Sequence, residues 1–158
     1  MRRVLTILAC VAMLVAATAA PAAAAGPPTL VTGTRISLMG SLACSDLGGG
    51  NELCHWEYPE FYSGDITGTS LNTVDFVRRT DGSFQGRGTE VCTGCTIAGR
   101  TGDFEALFVV RGSGTSVTWT ATLIGLSGDL AGLRGHGWSA GYDAAGNETY
   151  AYKIHFTK

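Results

Sequence analysis

The sequence has little charge and no cluster of basic residues. Its 158 residues contain 11 Lys and Arg and 13 Asp and Glu, so charged residues make up only 15% of the chain. A protein that binds the phosphate backbone of nucleic acid needs a patch or stripe of positive charge. Because Lys and Arg occur here only singly or in pairs, we expect no nucleic acid among the partners.

Long apolar runs are also missing after residue 25. A membrane-spanning helix needs about 20 consecutive apolar residues. The one apolar stretch, Val4–Ala17, follows an arginine pair and leads into a segment of small residues that ends at Ala25. This order is typical of a cleavable secretion signal. We therefore predict a signal peptide over residues 1–25 and one secreted domain over residues 26–158 with no membrane span. The alanine-rich signal favours a high-GC Gram-positive source.

Two other interpretations of the N-terminal segment are weaker. A lipid anchor at Cys10 would leave half of the apolar stretch beyond the attachment site. The pair Arg2-Arg3 fits a twin-arginine export signal. An arginine pair is also ordinary at the start of a general signal peptide, and we prefer that interpretation.

Cysteine is sparse, and the predicted mature domain holds an even number. Cys10 leaves with the signal, and four cysteines remain: Cys44, Cys54, Cys92 and Cys95. In a small secreted domain this predicts disulfides. We favour Cys44–Cys54 and Cys92–Cys95, because each pair closes a short loop that contains glycine. Other pairings, a zinc site and a redox C-x-x-C stay open as alternatives. Zinc normally takes two close cysteine pairs, and a reactive thiolate needs a stabilising helix start.

Helix periodicity is missing from the mature domain, whereas short alternating runs are frequent. All 23 glycines lie after residue 25, and they separate runs rich in β-branched and aromatic residues. In Val117–Leu123, for example, apolar residues alternate with threonine, which is typical of a strand. Pro59 interrupts an aromatic run and predicts an edge strand or a bend, and residues 46–51 are predicted to form a flexible loop. The predicted strands lie within residues 30–42, 55–63, 64–76, 83–91, 103–110, 117–123, 138–142 and 148–156.

About eight strands joined by tight turns predict an all-β fold with an antiparallel meander. An open sheet of this kind would leave two long edges free to pair with other chains. Closure removes both edges. We therefore predict a small closed antiparallel barrel of about eight strands.

Five segments in the second part of the chain carry a family resemblance. They are Gly64–Ser70, Asp81–Phe84, Gly86–Glu90, Ile97–Phe104 and Gly128–Gly135. In this order and spacing they resemble an uncharacterised bacterial family of allene oxide cyclase-like barrels, the DUF3224 type. The resemblance implies an eight-stranded antiparallel barrel with an apolar interior pocket and no established reaction. The four cysteines and the aromatic segment around Trp56 depart from the family pattern and fit life outside the cell.

Glu90 is the candidate catalytic residue. It lies in a predicted strand, at a place where the resembling family tends to carry an acid. A carboxyl group that points into a barrel is desolvated and suits general acid or base chemistry. The alternative is a structural role, with Glu90 facing outward or pairing with Arg87 or Arg111.

Aromatic residues of the predicted strands are candidates to line a ligand pocket. They are Phe104, Phe108, Trp119, Trp138, Tyr150 and Tyr152. Small barrels often fill their centre with such side chains, so plain core packing is the alternative. The aromatic segment Trp56–Tyr62 suits either stacking on a sugar or partner, or a strand that covers one barrel end. The three histidines show no metal-binding spacing, and we expect no metal and no cofactor.

The sequence supports two functions of different classes. The first is a secreted, non-enzymatic barrel of unknown role that binds a small hydrophobic ligand. The second is an isomerase or cyclase that holds a hydrophobic substrate in the barrel interior, with Glu90 as acid or base. A surface-acting structural protein of the cell envelope is a third and weaker hypothesis.

Overall fold

The computed structural model describes residues 27–114 and 116–157, which form nine strands and one short 3-10 helix. The predicted signal peptide, with Cys10, lies outside the described residues. The strands are β1 Thr29–Ser37, β2 Ser41–Gly48, β3 Asn51–Gly64, β4 Ile66–Arg78, β5 Ser83–Ile97, β6 Arg100–Ser113, β7 Ser116–Gly125, β8 Leu133–Tyr142 and β9 Glu148–Phe156. The 3-10 helix is Gly128–Leu130. Within the described residues, no helix is long and apolar enough to cross a membrane.

Eight of the strands close into an antiparallel barrel, which confirms the predicted fold class. The strands lie in the order β1-β9-β8-β7-β6-β5-β4-β3, and pairing of β1 with β3 closes the ring. In that last pairing, Gly33–Ser37 of β1 faces Glu60–Gly64 of β3. The ninth strand, β2, lies outside the ring and pairs with the first half of β3. The barrel is therefore the predicted one with a strand added at its seam.

β3 changes its partner near Pro59. Up to Glu57 it pairs with β2, and from Glu60 onward it pairs with β1. Proline has no N–H to give to a ladder, so it fits where the ladder passes from one partner to the next. Its carbonyl accepts a hydrogen bond from the N–H of Leu38 at 2.9 Å. The sequence predicted an edge strand or a bend here, whereas β3 runs on as an interior strand, with Pro59 opposite Leu71 of β4.

The predicted flexible loop over residues 46–51 is a tight turn. β2 and β3 extend into it and leave only Gly49 and Gly50 between them. Gly48, Gly49 and Gly50 all have positive φ, which costs glycine little. The side chain of Asp46 accepts a hydrogen bond from the N–H of Gly48 at 2.7 Å. The prediction was wrong in extent because the glycines allow the chain to reverse within two residues.

Both favoured disulfides are present. Cys44 and Cys54 face each other across β2 and β3 and are bonded. Cys92 and Cys95 are bonded across an irregularity of β5, where the register against β6 shifts. The first disulfide therefore fastens the additional strand to the barrel, and the second spans a bulge within one strand.

The two ends of the barrel differ. At one end, hereafter the closed end, buried apolar side chains fill the interior. They are Val31, Ile66, Ile97, Phe104, Leu123, Leu130, Leu133 and Ile154. The 3-10 helix lies here and places Leu130 against Gly102 and Gly125. A Cβ atom on either glycine would collide with its neighbours. The opposite end, hereafter the open end, carries the turns after β2, β4, β6 and β8.

Glycine makes room for inward-facing aromatic side chains. Five times, an aromatic residue stands opposite a glycine on the next strand, and a Cβ on that glycine would collide with it. The pairs are Phe76/Gly86, Phe84/Gly112, Phe108/Gly88, Tyr150/Gly33 and Tyr152/Gly137. Large residues set against small ones are a usual way to fill a narrow barrel. The abundance of glycine is therefore partly a packing requirement.

Candidate functional site

A cavity of about 580 Å³ occupies the open end of the barrel. Its aromatic lining residues include Trp56, Tyr58, Phe76, Phe84, Phe108 and Trp119. The volume lies within the range of about 300–1,000 Å³ that is usual for small-molecule sites. We call this space the mouth cavity.

The walls of the mouth cavity follow from strand alternation and from glycine. Val74 and Phe76 are two residues apart on β4 and therefore point to the same side of the sheet. Phe76 and Phe84 meet edge to face, with ring centroids 5.7 Å apart. Phe108 lies over Gly88, so its ring leans on the neighbouring strand. The walls are thus apolar rings held back against the sheet.

The floor of the mouth cavity is an ion-paired group around Arg35. Its Nη1 donates to Glu60 at 3.0 Å, and its Nε and Nη2 donate to one oxygen of Glu148 at 2.9 and 2.8 Å. The guanidinium also lies 4.2 Å from the ring centroid of Trp119, whose Nε1 donates to the other oxygen of Glu148 at 2.6 Å. Burial opposes the charged form of Arg35, but the two carboxylates outweigh it and raise its pKa. One buried cation is therefore shared between two carboxylates.

Glu60 lies beneath this floor and is fully buried. Besides Arg35, it accepts hydrogen bonds from the Ser37 hydroxyl at 2.8 Å and from the Asn72 amide at 3.5 Å. Burial raises the pKa of Glu60, and the charge of Arg35 opposes that rise. The buried carboxyl thus depends on a complete set of donors to keep its charge.

Glu90 points into the barrel and is 1% exposed. It stands opposite Asn72 in the β4–β5 register. Burial raises its pKa to about 7, and the negative charge of Glu60 adds to the rise. In the described part of the chain, one Glu90 oxygen and the Asn72 amide oxygen have no hydrogen-bond partner. The outward-facing alternative does not hold, but Glu90 lies below the floor and outside the cavity lining. Its catalytic role stays a prediction.

The structure separates the six aromatic residues predicted for a pocket. Phe108 and Trp119 line the mouth cavity. Trp119 also belongs to the buried core cluster, together with Phe104, Tyr150 and Tyr152, which lie outside the cavity lining. The Tyr150 hydroxyl accepts from the N–H of Ile66 at 2.9 Å, which is a structural contact.

Trp138 is also placed away from the cavity. Its neighbour Gly137 lies inside the barrel, under the ring of Tyr152. Because side chains alternate along a strand, Trp138 lies on the outer face of β8. Its ring is 6.3 Å from that of His136. The six predicted aromatic residues therefore lie on both faces of the sheet and at both ends of the barrel.

Sequence reasoning missed Arg35, Glu60 and Glu148. A signal for Arg35 was present, because it alternates with the inward-facing Val31 and Gly33. A charged residue in such a row indicates a buried ion pair. Its partners come from β3 and β9, 25 and 113 residues away along the chain, and nothing local to them indicates this meeting.

One further cluster has the donor types of a metal site. It consists of Cys44, Cys54 and Glu52. The two cysteines are bonded to each other, and the Glu52 carboxylate accepts from the Nε of Arg78 at 2.8 Å. The cluster therefore offers no thiolate to a metal.

A solved structure from Shewanella oneidensis MR-1 has a similar fold. It is a protein of unknown function from the DUF3224 family. The match has a TM-score of 0.66 and 20% sequence identity, and it covers 83% of this chain and 98% of that chain. No protein-family model matches the chain, and no curated protein matches it. The chain therefore shares the barrel fold of this DUF3224-family protein.

Proposed function

We propose that this protein is a secreted binding protein that takes a small hydrophobic ligand into the mouth cavity. The observation that carries the proposal is a cavity of about 580 Å³ with aromatic walls and a few charged groups at its floor. Apolar walls with a small number of fixed polar groups are the usual construction of a small-molecule site. Such a site contributes binding energy through the walls and orientation through the floor.

Secretion is the second part of the proposal. Two disulfides in a domain of this size fit an oxidising compartment outside the cytosol. The signal-like segment over residues 1–25 supports the same location.

Binding is favoured over catalysis by the position of the titratable groups. Arg35 and Glu148 line the mouth cavity, but they are bonded to each other. Glu90 has a pKa suited to acid–base work, yet its carboxyl lies below the floor. An isomerase or cyclase remains the alternative, and it requires a substrate that reaches past Arg35 to Glu90.

Fluorescence titration with the neutral probe N-phenyl-1-naphthylamine tests the binding proposal. We expect saturable binding with a micromolar dissociation constant. Val110→Trp puts a large ring into the cavity and should abolish binding. The matched control is Val109→Trp, because Val109 directly precedes Val110 in β6 and is 41% exposed on the outer face. Absence of saturable binding, or equal loss in both variants, would contradict the proposal.

A further inference from the structure

The charges around the mouth cavity do not balance. Within the described residues, the charged groups that line it are Arg35, Arg78 and Glu148. Arg78 is neutralised by its ion pair with Glu52. Arg35 is paired with two carboxylates, those of Glu60 and Glu148. The floor therefore carries one net negative charge.

We propose that the mouth cavity selects hydrophobic ligands with a positively charged head group and discriminates against carboxylates. This inference rests on the proposed function, because it names the class of ligand that the same cavity takes.

Arg35 by itself would indicate the opposite preference, since a buried arginine is a common carboxylate-binding group. Here Nε, Nη1 and Nη2 each already donate to a carboxylate of the protein. One face of the guanidinium lies against Trp119. A ligand carboxylate would be a third anion beside a single cation, in a site where water screens charge poorly.

A cationic head group has a partner at the same place. The Glu148 side chain is 14% exposed and lines the cavity. From the described residues its Oε1 accepts one hydrogen bond, that of Trp119, and a carboxylate oxygen can accept two. The rings of Tyr58, Phe76 and Phe108 line the same cavity, and aromatic rings attract cations. An ammonium group on an apolar body therefore meets both an acceptor and electron-rich walls.

Three ligands that share one alkyl chain test the charge preference. Decylamine, decanol and decanoate are each used at pH 7 and low salt to displace N-phenyl-1-naphthylamine. We expect decylamine to displace the probe at a concentration at least about tenfold below that of decanoate, with decanol between them. Decanoate that displaces the probe as well as decylamine would overturn the inference and leave the hydrophobic cavity intact. A probe that does not bind at all would instead overturn the proposed function.

Removal of the Glu148 carboxylate tests whether this group causes the preference for cationic ligands. Glu148→Gln makes the floor neutral. We expect the displacing concentrations of decanoate and decylamine then to differ by less than about threefold. Glu105→Gln is the control, because it removes the same charge from the outer part of β6, away from the cavity. An unchanged ratio in folded Glu148→Gln would show that Glu148 is not the acceptor. The order of the three ligands on the unaltered protein decides the inference even where that variant does not fold.

Discussion

At the scale of single residues, Arg35 holds together a polar layer in an otherwise apolar barrel. Its side chain is 10% exposed and is the cation for two carboxylates. Taking charges out of water costs several kcal/mol each, so a buried ion pair adds little to stability while it is complete. If one partner is removed, the desolvation cost of the remaining buried charges is no longer offset. Substitutions in this layer should therefore reduce stability.

Arg35→Ala should therefore destabilise the protein strongly. It leaves Glu60 fully buried with no cationic partner, and we expect a loss of about 3–5 kcal/mol in the free energy of unfolding. Urea denaturation at pH 7 measures this loss. Arg111→Ala is the control, because Arg111 is exposed on the outer face of the barrel and should change stability by less than about 0.5 kcal/mol. Similar losses in both variants would argue against the central role of Arg35.

Glu90 makes stability depend on pH. Burial raises its folded-state pKa to about 7, above the usual 4.5 of a glutamate, so between these values the folded protein binds more protons than the unfolded chain. Stability should then fall as pH rises through this window, by about 3 kcal/mol in total. Glu60 acts in the same direction, and so does the exposed His55, whose pKa is raised mainly by a hydrogen bond to Asp75.

Glu90→Gln isolates the Glu90 contribution. Its side chain stays neutral, so the variant should lose less stability than the unaltered protein between pH 5.5 and pH 8. Thermal unfolding across this range measures the difference, with Glu105→Gln as the control for a removed carboxylate. If the two variants show the same pH dependence, Glu90 does not titrate in this window.

At the scale of elements, cross-strand pairs of glycine and an aromatic residue set the shape of the interior. The rings of Phe84 and Phe108 lie over glycines and line the mouth cavity. The same device at Gly137 and Tyr152 lies deeper and fills the barrel. The same pairing of glycine with an aromatic residue thus occurs beside the cavity and in the filled core.

Gly88→Ala tests this packing rule. A Cβ at residue 88 would collide with the ring of Phe108 and the carbonyl of Thr73. We expect destabilisation of about 1–3 kcal/mol, because overpacking shifts side chains and backbone. The double variant Gly88→Ala/Phe108→Leu should recover part of this loss, and a double-mutant cycle measures the coupling. Purely additive effects would show that the ring is not the source of the strain.

The additional strand β2 depends on its disulfide more than on packing. All eight of its residues are exposed, and it pairs with one neighbour, β3. Replacing Cys44 and Cys54 together by serine should free β2 locally and leave the barrel folded. Hydrogen exchange should accelerate at β2 amides and stay slow in β5 and β6. Loss of protection in all strands at once would show that β2 is part of the cooperative barrel.

At the scale of the whole molecule, the proposed secretion predicts the state of the exported protein. Protein recovered from the medium of its own host should begin at or near Gly26 and should show no free thiols when denatured. Mass spectrometry with and without reduction measures both. Retention of residues 1–25, or four free thiols, would contradict the proposal.

Much of the architecture could be predicted from local sequence patterns. Alternation and glycine turns predicted the strands and barrel closure, and the short loops between cysteines predicted both disulfides. The prediction of one strand over residues 30–42 was wrong, because this segment belongs to two strands, β1 and β2, which both pair with β3. The boundary between β1 and β2 lies beside Pro59, which belongs to β3. A short stretch of sequence around residues 30–42 does not contain this long-range contact.

Local sequence patterns were enough to predict the all-β class and the closed barrel, because alternation and turn residues are local properties. They favoured one disulfide pairing and left the others open. The open end of the barrel and the charges that meet at the cavity floor are evident only in the folded structure. Arg35, Glu60 and Glu148 stand on three strands that become neighbours when the ring closes. Ring closure is a long-range event, so the charge that we propose to select the ligand emerges only with the folded barrel.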